Sequence, residues 1–257
     1  MRQVSTVAQY RRIRQEEIGT ARLGFVPTMG ALHKGHESLI EKSVGECDIT
    51  IVSIYVNPTQ FDNPDDLNKY PETLDEDLRI AEALGVDYVL LPRYEALYPD
   101  AYRYKVVETE FSKTLCGAWR DGHFTGVLTV VMKLLNLVRP DRAYFGEKDF
   151  QQYKLIRDMA SAFLMDVEIV SCPIVREEDG LAMSSRNLNL DEASRRKAPL
   201  IHRLIASRKS DGEIARELMA AGFEVDYVTT LEGRRFAAAR LGKGAAQVRL
   251  IDNVPLE

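Results

Sequence analysis

Short apolar runs and amphipathic stretches alternate through the first two thirds of the chain. Residues 23–26 (Leu-Gly-Phe-Val) predict a strand, and an amphipathic segment over about residues 35–45 predicts a helix. Residues 49–56 are nearly continuously apolar and β-branched, as expected of a parallel strand covered on both faces. Residues 71–84 read as a helix, with Pro71 at its start and Gly85 just past its end. A third strand is expected over residues 86–91. This βαβαβ rhythm implies an α/β fold built on a Rossmann-like, doubly wound parallel sheet. Ligands are then expected outside the carboxyl ends of the strands.

The alternation continues further along. From His123 to Val138 the apolar residues Val127, Val130, Val131, Leu134, Leu137 and Val138 recur at helical spacing, and Arg139-Pro140 ends that helix. A short strand over residues 143–145 feeds Gly146-Glu147-Lys148-Asp149. A helix over residues 150–163 and a strand over 167–172 follow, the latter stopped by Pro173. Composition shifts after about Val175. Residues 176–180 form a polar turn, helices are expected near 191–208 and 211–221, and short strands near 223–228 and 247–251. Residues 236–244 are merely rich in Ala, Arg and Gly. The expected organisation is therefore a Rossmann-like domain over residues 1–175 and a smaller α+β domain over 176–257.

Composition adds limits. A chain of 257 residues can bury a substantial core. Its net charge of −5 argues against a nucleic-acid-binding surface. Cys47, Cys116 and Cys172 are far apart and odd in number, so neither a zinc knuckle nor a disulfide scaffold is suggested. The N-terminal residues are charged and lack the apolar stretch of a signal peptide, and no apolar run reaches membrane-spanning length. The expected location is the cytoplasm, with no membrane partner.

The densest chemistry lies in Pro27-Thr28-Met29-Gly30-Ala31-Leu32-His33-Lys34-Gly35-His36. A strand, a Gly-containing turn and a helix bring backbone N–H groups to a helix N-terminus, where an anion can sit. His33 and His36, separated by Lys34-Gly35, can donate hydrogen bonds to phosphate oxygens and stabilise charge developing at an α-phosphorus. This is the HxGH pattern of enzymes that use an α,β-phosphate bond for nucleotidyl transfer. Alone it is weak, since paired histidines near a Gly turn also cap helices.

Further segments give it weight: Ser53-Ile54-Tyr55-Val56-Asn57-Pro58-Thr59-Gln60-Phe61, Phe145-Gly146-Glu147-Lys148-Asp149-Phe150-Gln151-Gln152, and Gly180-Leu181-Ala182-Met183-Ser184-Ser185-Arg186-Asn187. In this order and spacing, together with the HxGH segment, they closely resemble the pantoate–β-alanine ligase family of the nucleotidyltransferase-like superfamily. The similarity spans roughly residues 20–190 and returns at Arg249-Leu250-Ile251-Asp252-Asn253. The resemblance implies an ATP-dependent condensation of pantoate with β-alanine to pantothenate, AMP and pyrophosphate, through an enzyme-bound pantoyl adenylate. It also implies a homodimer and, with ATP as substrate, Mg²⁺ accompanying the phosphates.

On the same resemblance, His33, His36, Lys148, Ser184, Ser185 and Arg186 are the expected catalytic residues. Met29, Gly30, Gly35, Gly146, Asp149, Val175 and Met183 join them in binding ATP. Lys148 supplies a mobile point charge for phosphate, and Asp149 accepts from ribose hydroxyls or caps the following helix. Ser184, Ser185 and Arg186 match a lid loop. Gln60 and Gln152 match pantoate-binding glutamines, with Met29, Val130 and Val131, and Val127 beside them, as an apolar wall. The valines equally form the core stripe of their helix. Asn57, Tyr70, Arg120 and His123 fall at the β-alanine end. Asp77 is the matched carboxylate for Mg²⁺, although the acidic run 75–77 also suits a solvated helix start.

Two local departures stand out. Tyr55 occupies a position where the family commonly has Phe, and the turn over residues 241–248 is longer than usual. A simple nucleotidyltransferase acting on a phosphorylated acceptor is the rival enzyme, and Gln60 and Gln152 with an apolar wall suit a branched hydroxy acid better. A non-catalytic nucleotide-binding protein is the rival outside enzymes. It has no need for both histidines, Lys148 and the Ser-Ser-Arg loop together.

Overall fold

In the computed structural model, which describes residues 1–242, 244 and 247–256, the chain divides into two compact units. The first comprises Met1–Glu147 and Gln151–Cys172, and the second comprises Lys148–Phe150 and Pro173–Glu257.

The first unit is built on a parallel sheet of six strands: β1 (Arg2–Val4), β2 (Leu23–Thr28), β3 (Ile49–Ile54), β4 (Tyr88–Leu90), β5 (Arg142–Gly146) and β6 (Glu168–Cys172), in the order β1-β4-β3-β2-β5-β6. The chain runs outward from β2 through β3 to β4, then returns to the other side of β2 with β5. The order therefore reverses between β2 and β5, the place where open α/β sheets bind ligands. Helices α1 (Val7–Ile13), α2 (Lys34–Glu46), α3 (Pro64–Asn68), α4 (Leu74–Ala83), α5 (Tyr94–Leu97), α6 (His123–Val138) and α7 (Phe150–Ala162) connect the strands. One core joins Phe25, Ile51, Leu128, Leu135 and Ile156, and another joins Val26, Ile40, Val52, Val89 and Tyr144. Phe25 and Val26 are neighbours in β2 yet lie in different cores. That is what a strand covered on both faces requires.

The second unit carries α8 (Glu192–Lys197), α9 (Leu200–Ile205) and α10 (Asp211–Ala220) with an antiparallel sheet of β7 (Glu224–Leu231), β8 (Arg234–Leu241) and β9 (Val248–Pro255). Ile201, Ile205, Ile214, Leu218, Ala237, Ala239 and Leu250 form its core.

Several expectations need correcting. The edge strand β1 was not foreseen, because only Val4 of its three residues is buried. Helix α4 begins at Leu74 rather than Pro71, since the Thr73 carbonyl accepts from Asp77 N at 2.9 Å and makes Thr73 the cap. One helix over 191–208 is in fact two, α8 and α9, broken at Ala198-Pro199; proline supplies no N–H to continue the ladder. The Ala/Arg-rich stretch contains β8, the central strand of the small sheet. Its Ala237, Ala238 and Ala239 are almost fully buried, a tight packing that strand propensity does not signal. Of the long turn over 241–248, Lys243, Ala245 and Ala246 lie outside the described residues.

Candidate active site

The HxGH segment is shaped by contacts that begin at the end of β2. Thr28 Oγ1 donates to the Ser53 carbonyl (2.8 Å) and accepts from Gly30 N (3.2 Å). Gly30 and Ala31 then adopt left-handed backbone, with φ of 80° and 50°. A residue with a side chain is strained there, and at Gly30 a Cβ would also lie 2.9 Å from Asp77 Oδ2. Asp77, buried on α4, closes the turn: Oδ2 accepts from Ala31 N (3.0 Å) and Thr73 Oγ1 (3.2 Å), and Oδ1 accepts from Leu32 N (2.7 Å).

His33 is the N-cap of α2, and its Nδ1 accepts from Gly35 N at 3.1 Å. An accepting Nδ1 carries no proton, so the neutral ring keeps its proton on Nε2, which is then a donor. Gly35 permits this fold-back, since a Cβ there would lie 2.8 Å from His33 Cε1. The His33 and His36 rings sit 4.2 Å apart between centroids, tilted by 42°. Both are half-buried at the first turn of a 13-residue helix. Backbone N–H groups and two imidazoles are thus grouped where the helix dipole favours an anion.

A second cluster follows β3. Asn57 Nδ2 donates to Gln60 Oε1 (3.0 Å), while Asn57 Oδ1 accepts from Tyr98 Oη (2.9 Å) and Thr59 Oγ1 (3.1 Å). His123 Nδ1 donates to the Gln60 carbonyl at 2.8 Å, which leaves Nε2 to accept from Arg120 Nη1 at 3.2 Å. Arg120 also pairs with Asp62 at 3.0 Å. Burial alone would raise the Asp62 carboxyl, but the Arg120 charge and hydrogen bond hold it below the usual range. Tyr70 packs edge-on against Phe61, with centroids 5.8 Å apart. Val127, Val130 and Val131 are buried in the main core. The Tyr55 hydroxyl is buried with no hydrogen-bond partner among the described residues, and burial pushes its pKa up.

The adjacent glutamines of α7 differ. Gln151 clamps the preceding loop, accepting from Cys116 N and donating to the Phe111 and Thr114 carbonyls at 2.8–3.0 Å. Gln152 beside it is half-buried.

The second unit holds the rest. Lys148 Nζ lies 3.4 Å from Asp149 Oδ2, and the Lys148 carbonyl accepts from the buried Asn253 Nδ2 at 3.1 Å. Residues 175–183 form a hairpin, with Met183 N donating to the Val175 carbonyl and Arg176 bridging to Ala182. Ser184 caps the short 3₁₀ turn Ser185–Asn189 by accepting from Arg186 N at 3.3 Å. Ser185 is buried and Arg186 half-buried. The hairpin is anchored by Arg176, whose guanidinium forks onto Asp252 at 2.7 and 2.9 Å. Arg195 reaches Glu177 and Asp179 at 2.6 Å each. Burial pushes the Asp252 carboxyl up, but the nearby His202 ring, 3.5 Å away, and the hydrogen bonds and charge of Arg176 outweigh it and hold the group low.

The anchoring roles of Asp77, Tyr98, Asp252 and Asn253 escaped the sequence. For Asp252-Asn253 the sequence does carry a signal, the Arg-Leu-Ile-Asp-Asn stretch that matches the family. Among the described residues no group of three or more His, Cys, Asp or Glu is arranged to hold a metal ion. Asp77 does not suit Mg²⁺, since its buried oxygens are engaged by two backbone N–H groups and a hydroxyl.

A doubly wound parallel sheet with the HxGH turn at the end of β2 defines an α/β protein with a candidate anion site at a helix N-terminus. The family model described as pantoate-beta-alanine ligase matches residues 2–255. The chain is 56% identical over 249 residues to the pantothenate synthetase of Bdellovibrio bacteriovorus, covering 97% of each chain. It superposes on the pantoate-beta-alanine ligase of Francisella tularensis, complexed with beta-gamma ATP and beta-alanine. There the TM-score is 0.92 at 40% identity, covering 99% of this chain and 97% of that one. Against the pantothenate synthetase of Thermus thermophilus the TM-score is 0.90 at 38% identity, covering 99% of both. The chain belongs to the pantoate–β-alanine ligase family.

Proposed function

We propose that the residues grouped above divide between them the two half-reactions of this family, the ATP-dependent condensation of pantoate with β-alanine. In the first, a pantoate carboxylate oxygen attacks the α-phosphorus, the bond to the β-phosphate oxygen breaks, and pyrophosphate leaves. In the second, the β-alanine amine attacks the acyl carbon of the adenylate, and AMP leaves with that oxygen. Adenylation is needed because a free carboxylate is a poor acyl donor.

The observation that carries the assignment of roles is the His33 tautomer. With Nδ1 accepting from Gly35 N, the ring meets phosphate as a neutral Nε2–H donor, already oriented before ATP arrives. His36 acts beside it. Lys148 neutralises phosphate charge, and Ser184, Ser185 and Arg186 supply hydroxyl and guanidinium donors to the phosphates. Met29, Gly30, Gly35, Gly146, Asp149, Val175 and Met183 complete ATP binding. Gln60 and Gln152 bind pantoate against Met29, Val130 and Val131. Asn57, Tyr70, Arg120 and His123 form the β-alanine end. Mg²⁺ arrives with the ATP phosphates and its waters, and no step is assigned to Asp77 as its ligand.

A domain boundary near residue 175, a lid role for residues 176–257, a homodimer and a cytoplasmic location belong to the same proposal: the lid role and the homodimer rest on the family resemblance, the boundary on the change of composition after Val175, and the location on charged N-terminal residues that lack a signal-peptide stretch. No helix among the described residues is long and apolar enough to cross a membrane.

The test is product analysis with pantoate labelled by ¹⁸O in its carboxylate. One label must appear in AMP when β-alanine is present. Its absence from AMP would rule out the adenylate.

A further inference from the structure

The Asn57 cluster fixes which end of the Gln60 amide is left for a ligand, and the residue that sets it is Tyr98. Its ring closes α5 and is 98% buried by its surroundings, with 2% exposure. Its hydroxyl donates to Asn57 Oδ1 at 2.9 Å, and Thr59 Oγ1 donates to the same oxygen at 3.1 Å. The Asn57 amide nitrogen therefore faces the other way. There it donates to Gln60 Oε1 at 3.0 Å and to the Gly126 carbonyl at 3.4 Å. A backbone carbonyl can only accept, so the longer Gly126 contact agrees with that orientation without being close enough to hold it alone. Gln60 Oε1 is turned toward Asn57, and the other end of the amide is Nε2, which only donates.

We propose that Tyr98 is a positioning residue for pantoate: through Asn57 it locks the Gln60 amide with its N–H donors, and not its oxygen, toward an acceptor-rich hydroxy acid. The proposal rests on the assignment of Gln60 to pantoate. A flipped amide would set Oε1 against the carboxylate. Two features keep the relay from slipping. A Cβ at Gly126 would lie 2.4 Å from the Thr59 carbonyl, so α6 sits hard against the turn that carries Gln60. Burial also pushes the Tyr98 hydroxyl up to about 12, which keeps its proton in place at physiological pH.

The experiment is pantoate-dependent ATP–pyrophosphate exchange, titrating pantoate and ATP separately in wild type, Tyr98→Phe, Gln60→Ala and the double variant. Phe keeps the ring packing against Tyr94 and Tyr102, at 4.9 and 5.4 Å, and removes only the donor. Tyr98→Phe is expected to raise the pantoate KM about three- to tenfold, the range of a lost orienting hydrogen bond. The ATP KM stays unchanged, and the effect vanishes in the Gln60→Ala background. A Tyr98→Phe enzyme with wild-type pantoate KM, or an effect that adds fully to that of Gln60→Ala, would overturn the relay. If Gln60→Ala itself leaves the pantoate KM unchanged, the assignment of Gln60 falls and the relay with it. Should Tyr98→Phe fail to fold, Asn57→Asp tests the same claim. An acceptor at that position turns the Gln60 amide around and raises the pantoate KM further, and an unchanged KM contradicts the proposal.

Discussion

The two loops proposed to act on the phosphates each rest on one buried carboxylate, and the two carboxylates work differently. Asp77 holds the turn after β2 through backbone N–H donors from Ala31 and Leu32. Asp252 holds the hairpin before Ser184 through the Arg176 guanidinium. The first contact fixes main-chain geometry directly, including the left-handed Ala31. The second joins two side chains, with Arg195, Glu177 and Asp179 adding further ion pairs around it. A main-chain anchor tolerates little displacement, whereas a network of long side chains shares the load. The histidine turn is thus built for preorganisation, and the Ser-Ser-Arg loop is secured by charge.

The largest effects are expected from removing single phosphate donors, one on the histidine turn and one outside both loops. His36→Ala and Lys148→Ala are each expected to slow adenylation by about 10²–10³-fold, the size reported for preorganised donors to developing charge. Both variants should keep their circular dichroism spectra and melting temperatures. Wild-type turnover in either would strike that residue from the mechanism.

Changing the anchors themselves should have smaller and distinguishable effects. In Asp77→Asn an amide NH₂ faces a backbone N–H, donor against donor. Losing such a buried contact costs about 1–3 kcal/mol, and if that cost is felt at the histidines, adenylation falls about ten- to a hundredfold. The Mg²⁺ concentration for half-maximal rate should not move; a raised requirement would return Asp77 to the metal.

Asp252→Asn should act mainly on stability and its pH dependence. The folded-state pKa of Asp252 lies below its ordinary value of 3.8. Its contribution is therefore complete above the ordinary carboxylate range and is lost as pH falls through the lower, folded value. Wild type should lose stability more steeply than Asp252→Asn below about pH 4, as followed by denaturant melts. Parallel acid profiles would deny the pair its role.

How much of this was legible in the chain follows from how far apart the partners lie. The strands β2 and β3, helix α6 and the HxGH turn depend on neighbouring residues, through apolar spacing, Gly and caps, and the sequence displays them. The anchors act at a distance. Asp77 is 46 residues from Ala31, Tyr98 is 41 from Asn57, and Asp252 is 76 from Arg176. No periodicity encodes such pairings. Gln151 and Gln152 make the same point: they are adjacent and chemically identical, yet only the folded loop assigns Gln151 to clamping Phe111 and Thr114. Strand β8 was hidden because its alanines favour helix by propensity, although the fold buries them almost completely.

The most direct measurement is ATP–pyrophosphate exchange with pantoate present and β-alanine absent. Activation before amide formation predicts exchange that requires pantoate and needs no amine, followed by pantothenate and AMP once β-alanine is added. Exchange that appears only with β-alanine, or none from folded, ATP-binding protein, would contradict a stepwise adenylate at this site.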